Sequence, residues 1–370
     1  MTGKLTPATL VFKIGSRLLT DDEGRLNHDN MARLANEISG VWSRGHRVVV
    51  VSSGAVAAGF PLLGLRQLPR DIVERQAAAS VGQAHLMHLY QTLFTPHGIL
   101  LGQVLLTRAD TKDRQRFLNA RNTLRELLRR RILPIVNEND VVASDELKLG
   151  DNDTLAAVAA ALVSADLCVL LTDVNGILAD RKQPESVVAS FKNADAAEPL
   201  LWAKEAKIST GGMTTKLQAA RVNADYGIPT VIANGLRPGV IPALAAGEAI
   251  GTRISASDRP LSARRHWMRH AGVTHGKIVV DQGAYTAIRA QGRSLLPSGI
   301  MVVDGSFAAG EVVALVYNKE PFAWGIVQYN SDEIQLIKGC HTRAIDQKLG
   351  YRIRNDVVHR NDMVFAGEKD

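Results

Sequence analysis

Residues 132–163 place a strand, a polar turn and a helix in direct succession, an order that restricts the fold more than any other feature of the chain. ILPIV at 132–136 has the length and β-branched content of a buried strand, and TLAAVAAALV at 154–163 is an alanine-rich helix pattern. Between them, NENDVVASDELKLGDND gathers Asp and Asn into two clusters, at 137, 139 and 140 and at 151–153. Turns and caps are the ordinary use of such residues. Capping one helix needs only one of them, so their density points to a binding site, with Asn137, Asn139 and Asp140 suited to an ammonium-bearing small molecule. In open α/β sheets, ligands settle where a strand ends and a helix begins.

The same alternation repeats along the chain. Strand patterns at residues 9–14, 47–54, 100–107, 167–173 and 229–233 are separated by helix patterns near 30–44, 70–94, 113–131 and 212–225, and a short helix is expected near 241–246. The strands are mostly continuous apolar runs, as expected when both faces of a sheet are covered. The fold class expected is α/β, a mostly parallel sheet sandwiched by helices. Beyond residue 254 the texture changes. A polar connector at 255–266 leads to short β-type runs punctuated by glycine, KIVVD at 277–281, GIMVVD at 299–304, GEVVALV at 310–316 and WGIVQ at 324–328. That pattern predicts a second, small barrel-like domain.

With 370 residues, 46% of them hydrophobic and 22% charged, the chain has the composition of a soluble globular protein with two domains. No apolar run is long enough to span a bilayer and the first residues lack a signal-peptide pattern, so a cytoplasmic location is expected. Cys168 and Cys340 form neither a disulfide framework nor a metal motif, and both are expected as buried thiols. The net charge of +7 is spread evenly: residues 257–370 hold 15 Lys+Arg and 12 Asp+Glu, net +3, and the remainder holds 29 and 25, net +4. Arg129, Arg130 and Arg131 close a helix pattern, where cations complement the helix dipole.

Small or polar clusters close the strand patterns: KIGS at 13–16, SSGA at 52–55, NEND at 137–140 with GDND at 150–153, and TD at 172–173. A further cluster, TGGMTTK at 210–216, is a glycine-rich turn opening a helix, where backbone amides suit phosphate oxygens. In their order and spacing, KIGS, VVSSGAVAAG, LLTRAD with RFLNARNTL, PIVNEND, GDND, LLTD, TGGMTTK and PGV resemble the amino acid kinase family, nearest to its glutamate-phosphorylating members. The C-terminal part is similar to a PUA domain. The resemblance implies an amino acid kinase domain over 1–256, a linker over 257–274, a PUA domain over 275–355 and a tail over 356–370.

It also implies transfer of the γ-phosphoryl group of ATP to the side-chain carboxylate of L-glutamate, the first step toward proline. Both reactants are anions, so such catalysis is chiefly positioning and cationic stabilisation. By resemblance Lys13 meets the transferring phosphoryl group and Lys216 the leaving side, assisted by the amides of Gly15, Ser16, Gly211 and Gly212, while Asp153 orients the two lysines. Ser53, Asp140 and Asn152 match glutamate-binding positions, and Asn137 joins them on its side-chain chemistry. Thr172, Asp173, Thr210, Gly211, Gly212, Met213, Thr214, Thr215 and Lys216 match the nucleotide side. Mg²⁺ is expected to bridge phosphate oxygens and keep several waters, with no metal ligands contributed as a protein cage. A homo-oligomer inhibited by proline is expected, without membrane partners. The chain departs from the family at Arg17 and Ser209, lacks a tyrosine within 176–180 and is shortened up to residue 208, so its adenine pocket should differ.

Other readings carry less. The chain has neither a G-x-x-x-x-G-K-[ST] loop nor a G-x-G-x-x-G turn. His266 and His270 lack the glutamate of a zincin helix, and Asn152-Asp-Thr154 fits a glycosylation acceptor only formally. RNA binding or modification through the PUA domain is the alternative function; even charge and the lack of a basic-aromatic stripe count against it. A regulatory relative that binds amino acid without turnover would not need both Lys13 and Lys216.

Overall fold

The computed structural model describes residues 7–107, 110, 114–142, 152–180, 182–201, 212–257 and 276–365. The chain divides into two compact units, Met1–Pro260 and Leu261–Asp370. The linker expected at 257–274 lies, apart from Ser257, outside the described residues.

The first unit is built on an eight-stranded sheet in the order β3-β4-β2-β1-β5-β7-β8-β6. Its members are β1 (Thr9–Ile14), β2 (Arg47–Ser52), β3 (Leu101–Leu106), β4 (Leu133–Glu138), β5 (Leu167–Thr172), β6 (Ser190–Phe191), β7 (Thr230–Asn234) and β8 (Thr252–Ile254). All pairs are parallel except β7 with β8. Strand β1 is buried throughout, and β2 is buried in all but its first residue, which is why these runs are continuously apolar. At the sheet edge β3 instead has Gln103 and Leu105 exposed while Val104 and Leu106 are buried, the alternation of a half-covered strand. The short strands β6 and β8 were not legible from periodicity, because two or three residues carry no period.

The connections leaving β1 and β5 run in opposite directions, toward β2 on one side and β7 on the other, and so open a crevice at the carboxyl ends of these two neighbours. Helices α1 (Ser16–Leu19), α2 (His28–Ser43), α3 (Ala55–Gly59), α4 (Ile72–Phe94), α5 (Arg114–Arg129), α6 (Asn152–Val163), α7 (Met213–Asp225) and α8 (Val240–Ala245) accompany the sheet. Asp71 caps α4, its carboxylate accepting from the amides of Val73 at 2.9 Å and Glu74 at 3.0 Å. In the fold its buried stripe is Ala78, Ala79, Gly82, Leu86, Tyr90 and Phe94, while Val73 and Val81 remain exposed.

Two glycines let α3 and α4 cross at backbone contact. A Cβ at Gly59 would stand 1.8 Å from the Ala78 carbonyl oxygen, and one at Gly82 would stand 1.8 Å from that of Ala55. Backbone cannot yield as a flexible side chain does. Gly82→Ala is therefore expected to destabilise the protein by about 1–3 kcal/mol or more through overpacking. Urea denaturation measures this, and an unchanged midpoint would show that the helices separate freely.

The second unit carries a five-stranded sheet, β10-β9-β11-β12-β13, formed by β9 (Gly276–Val280), β10 (Ile300–Gly305), β11 (Val312–Tyr317), β12 (Glu320–Val327) and β13 (Val358–Phe365). The β9–β11 pair is parallel and the rest are antiparallel. Helices α9 (Gln282–Gln291), α10 (Ser331–Ile337) and α11 (Ile345–Leu349) belong to this unit, whose core gathers Ile278, Val280, Ile288, Leu315, Tyr329 and Ile334. The expected C-terminal tail at 356–370 is corrected by β13, which pairs with β12 through Ala323 with Phe365 and Gly325 with Met363. Polar residues such as Arg360 and Asp362 interrupt its apolar pattern and hid the strand. Cys168 is buried as expected, whereas Cys340 is only half-buried, a correction to the reading of both as buried thiols.

Candidate active site

Lys13 is the fifth residue of β1, paired in register with Val51 of β2 and Leu170 of β5, so its stem lies among apolar neighbours. An ammonium in such surroundings requires a counter-charge. Asp153 supplies it from the first turn of α6, where the helix dipole favours a carboxylate. Lys13 Nζ lies 2.7 Å from Asp153 Oδ1, and Lys216 Nζ, from the first turn of α7, lies 3.0 Å from Asp153 Oδ2. Both lysines are 4% exposed and Asp153 is fully buried. Thr215 Oγ lies 3.0 Å from the same Oδ2 and 2.7 Å from the Gly212 carbonyl, and its single hydrogen is shared between these two acceptors. Asp153 is thus no N-cap, and Lys216 is not a solvated first-turn lysine.

The triad thus holds two ammoniums out of bulk water, close enough to share one carboxylate. Buried cations gathered in this way suit an incoming polyanion. Gly15 follows on the turn after β1, and its amide donates to the Leu171 carbonyl at 3.2 Å. A Cβ at Gly15 would stand 3.1 Å from the Leu171 oxygen and 3.9 Å from Lys13 Nζ, so residue 15 keeps the approach to the ammonium open. Ser16 is exposed at the start of α1.

Beside the triad lies a second, uncharged cluster. Asn152, the first residue of α6, donates from Nδ2 to Ser53 Oγ at 2.7 Å, the Ser52 carbonyl at 2.9 Å and Asn137 Oδ1 at 3.3 Å. The last paired positions of β2 and β4 are Val51 and Val136, so Ser52 and Asn137 are the next residues along adjacent strands. With Ser53 Oγ and the Ser52 carbonyl accepting from Asn152, the Ser53 hydroxyl hydrogen and Asn152 Oδ1 face no partner among the described residues. One is a donor fit for a carboxylate and the other an acceptor fit for an ammonium. Asp140 is half-buried just past β4.

On the β5 side, Thr172 Oγ donates to Asp173 Oδ1 at 3.1 Å, and Arg17 Nη1 lies 2.7 Å from Asp173 Oδ2. Burial alone would raise the Asp173 pKa, but bonds from Arg17, its own backbone and Thr172 overcome this and hold the carboxyl below its ordinary value. A recess of about 350 Å³ lies near the ends of β5 and β7, lined by Asn175, Val187, Asn234, Arg237 and Ile250 among others. Of the glycine-rich turn, Gly212 and Met213 are half-buried and Thr214 is exposed. Thr210, Gly211, Ser209 and Asp151 lie outside the described residues, as do His266 and His270.

The structure therefore brings Lys13, Asp153 and Lys216 into one cluster and Ser53, Asn137 and Asn152 into its neighbour. Sequence reasoning passed over Gln83, whose Oε1 accepts from Asn137 Nδ2 at 2.8 Å, and Tyr90, whose hydroxyl lies 2.8 Å from Ser52 Oγ. The signal available was a pair of polar side chains seven residues apart on one helix.

Residues 8–234 match the model of the amino acid kinase family, and residues 276–349 match that of the PUA domain. The chain belongs to the amino acid kinase family. Glutamate 5-kinase from Moorella thermoacetica is 44% identical over 364 residues, covering 97% of this chain and 96% of that protein. Glutamate 5-kinase from Citrobacter koseri is 46% identical over 362 residues, with coverage of 96% and 98%. That from Salmonella arizonae is 45% identical over 361 residues, also with 96% and 98%. Membership in this kinase family implies ATP as phosphoryl donor. Among the described residues, no helix is long and apolar enough to cross a membrane.

Proposed function

We propose that the chain moves the γ-phosphoryl group of ATP onto the side-chain carboxylate of L-glutamate, releasing L-glutamyl 5-phosphate and ADP. The observation that carries this reading is the buried Lys13–Asp153–Lys216 triad beside the Asn152–Ser53–Asn137 cluster. Two buried ammoniums next to a neutral hydrogen-bonding cluster suit two anionic reactants, one rich in phosphate and the other a small zwitterionic acid. Identity of 44–46% to the named glutamate 5-kinases supports glutamate as the acceptor.

In the reaction, a side-chain carboxylate oxygen of glutamate attacks the γ-phosphorus. The bond from that phosphorus to the β,γ-bridging oxygen breaks, and its electron pair leaves with ADP. Lys13 meets the transferring group and Lys216 the oxygens that gain charge on the leaving side. Asp153 keeps the two ammoniums at a fixed spacing, so little reorganisation is required as charge moves. The Ser53 hydroxyl serves the α-carboxylate, while Asn152 Oδ1 and Asp140 face the α-ammonium and Asn137 holds Asn152 in place. Thr172, Asp173, Gly15, Ser16 and residues 212–216 line the nucleotide, with the recess near β5 and β7 left for its base.

Among the described residues, no group of three or more His, Cys, Asp or Glu could hold a metal alone, and Asp153 is taken up by two lysines. As the resemblance implies, Mg²⁺ would be held by the phosphate oxygens and its own waters and would neutralise phosphate charge. Inhibition by proline at or near the glutamate pocket, and assembly as a homo-oligomer, are parts of this reading that rest on the resemblance.

Hydroxylamine tests the reaction, because it traps an acyl phosphate as a hydroxamate. With ATP and Mg²⁺, hydroxamate is expected from glutamate and not from aspartate or N-acetylglutamate. Faster product from either competitor would overturn the acceptor assignment.

A further inference from the structure

We infer that Gln83 and Tyr90 of helix α4 are positioning residues for the amino acid side of the site, setting the ends of β4 and β2 respectively. The inference deepens the proposed function and rests on the reading of Ser53, Asn137 and Asn152 as the glutamate side. Seven residues make two turns of helix, so both side chains leave one face of α4, about 10.5 Å apart along its axis. Leu86, fully buried, lies between them. That face meets two adjacent parallel strands whose carboxyl ends hold Ser52 and Asn137.

The direction of each bond follows from its neighbours. Asn137 Oδ1 accepts from the Glu138 amide at 2.9 Å and from Asn152, so Asn137 Nδ2 must be the donor to Gln83 Oε1. Ser52 Oγ already donates to the Ser53 carbonyl at 2.8 Å, so the Tyr90 hydroxyl must donate to Ser52 Oγ. Burial pushes the Tyr90 pKa up to about 12, against the lowering effect of the Ser52 bond, so the phenol keeps this proton at any working pH. Asn152 then bridges the two held ends, donating to Ser52, Ser53 and Asn137 together. A shift of either end would turn the Ser53 hydroxyl and the Asn152 carboxamide away from their common target.

A second observation separates this role from plain packing. Gln83 Nε2 is buried and has no hydrogen-bond partner among the described residues. Burying a donor unpaired costs stability, a cost that an apolar side chain of the same length would not carry. Gln83 therefore does not serve stability alone; its Oε1 fixes the orientation of Asn137.

The test uses the full chain carrying Gln83→Met or Tyr90→Phe, with KM for glutamate, KM for ATP, kcat and Tm measured. In each variant KM for glutamate is expected to rise roughly three- to tenfold, the loss expected for one positioning hydrogen bond. KM for ATP and kcat should stay within about twofold. Tm of Gln83→Met should stay near wild type, since one orphaned donor, Gln83 Nε2, disappears as another, Asn137 Nδ2, loses its acceptor. An unchanged KM for glutamate in both variants overturns the inference, as does a joint loss of ATP affinity, kcat and Tm, which signals only a loosened fold. If Gln83→Met does not fold, Tyr90→Phe decides. A wild type that turns over no glutamate would overturn the proposed reaction and this inference with it; an active wild type with unaltered variants overturns the inference alone.

Discussion

Asp153→Asn is expected to lower stability by about 3–5 kcal/mol and to remove nearly all turnover, because it takes away the carboxylate that two buried ammoniums share. The asparagine has the same shape, so packing is preserved and the effect isolates charge. Lys13 and Lys216 sit 2.7 Å and 3.0 Å from the carboxylate, each 4% exposed, and cannot regain solvation without leaving the site. They would repel each other, and the spacing that receives the triphosphate would be lost. Denaturant midpoints at constant slope measure the stability term, and hydroxamate formation measures the activity. A variant with wild-type midpoint and turnover would mean that other groups hold the lysines.

Lys216→Ala and Lys13→Ala should each lower kcat by about 10²–10³-fold, the usual loss on removing one group aimed at developing charge. Each variant keeps Asp153 paired with the remaining lysine, so their folds should suffer less than that of Asp153→Asn. KM for glutamate should move by no more than about threefold, since both lysines act on the phosphoryl group and not on the amino acid. Lys216→Arg should restore little, because a planar guanidinium does not fit the position of a compact ammonium. Steady-state kinetics in both substrates check this. Near-normal kcat in either alanine variant would remove that lysine from the reaction, and a rise confined to KM for glutamate would move it to the acceptor side.

Much of the fold follows from local pattern. The runs VFKI, VVVVS and LCVLLT are apolar throughout because β1, β2 and β5 lie in the middle of a covered sheet, and each ends on small or polar residues because that end opens on a crevice. The polar clusters at those strand ends were therefore legible, as was Lys13, whose place inside an apolar strand made little sense without a partner. What local pattern cannot hold is distance across the chain. Lys216 and Asp153 are 63 residues apart, Asn137 and Gln83 are 54 apart, and Ser52 and Tyr90 are 38 apart. Those contacts exist because the sheet order sets β2 beside β4 and because Gly59 and Gly82 let α3 lie against α4. Strand β13 and the reversed β8 are of the same kind: their pairing energy comes from partners far away in sequence. The amino acid sequence alone determined the α/β class and the order of the kinase-type clusters that carry Lys13 and Lys216. Only the tertiary structure decided that one buried carboxylate holds both, since a charge is tolerated in the interior only where another chain segment brings its counter-charge.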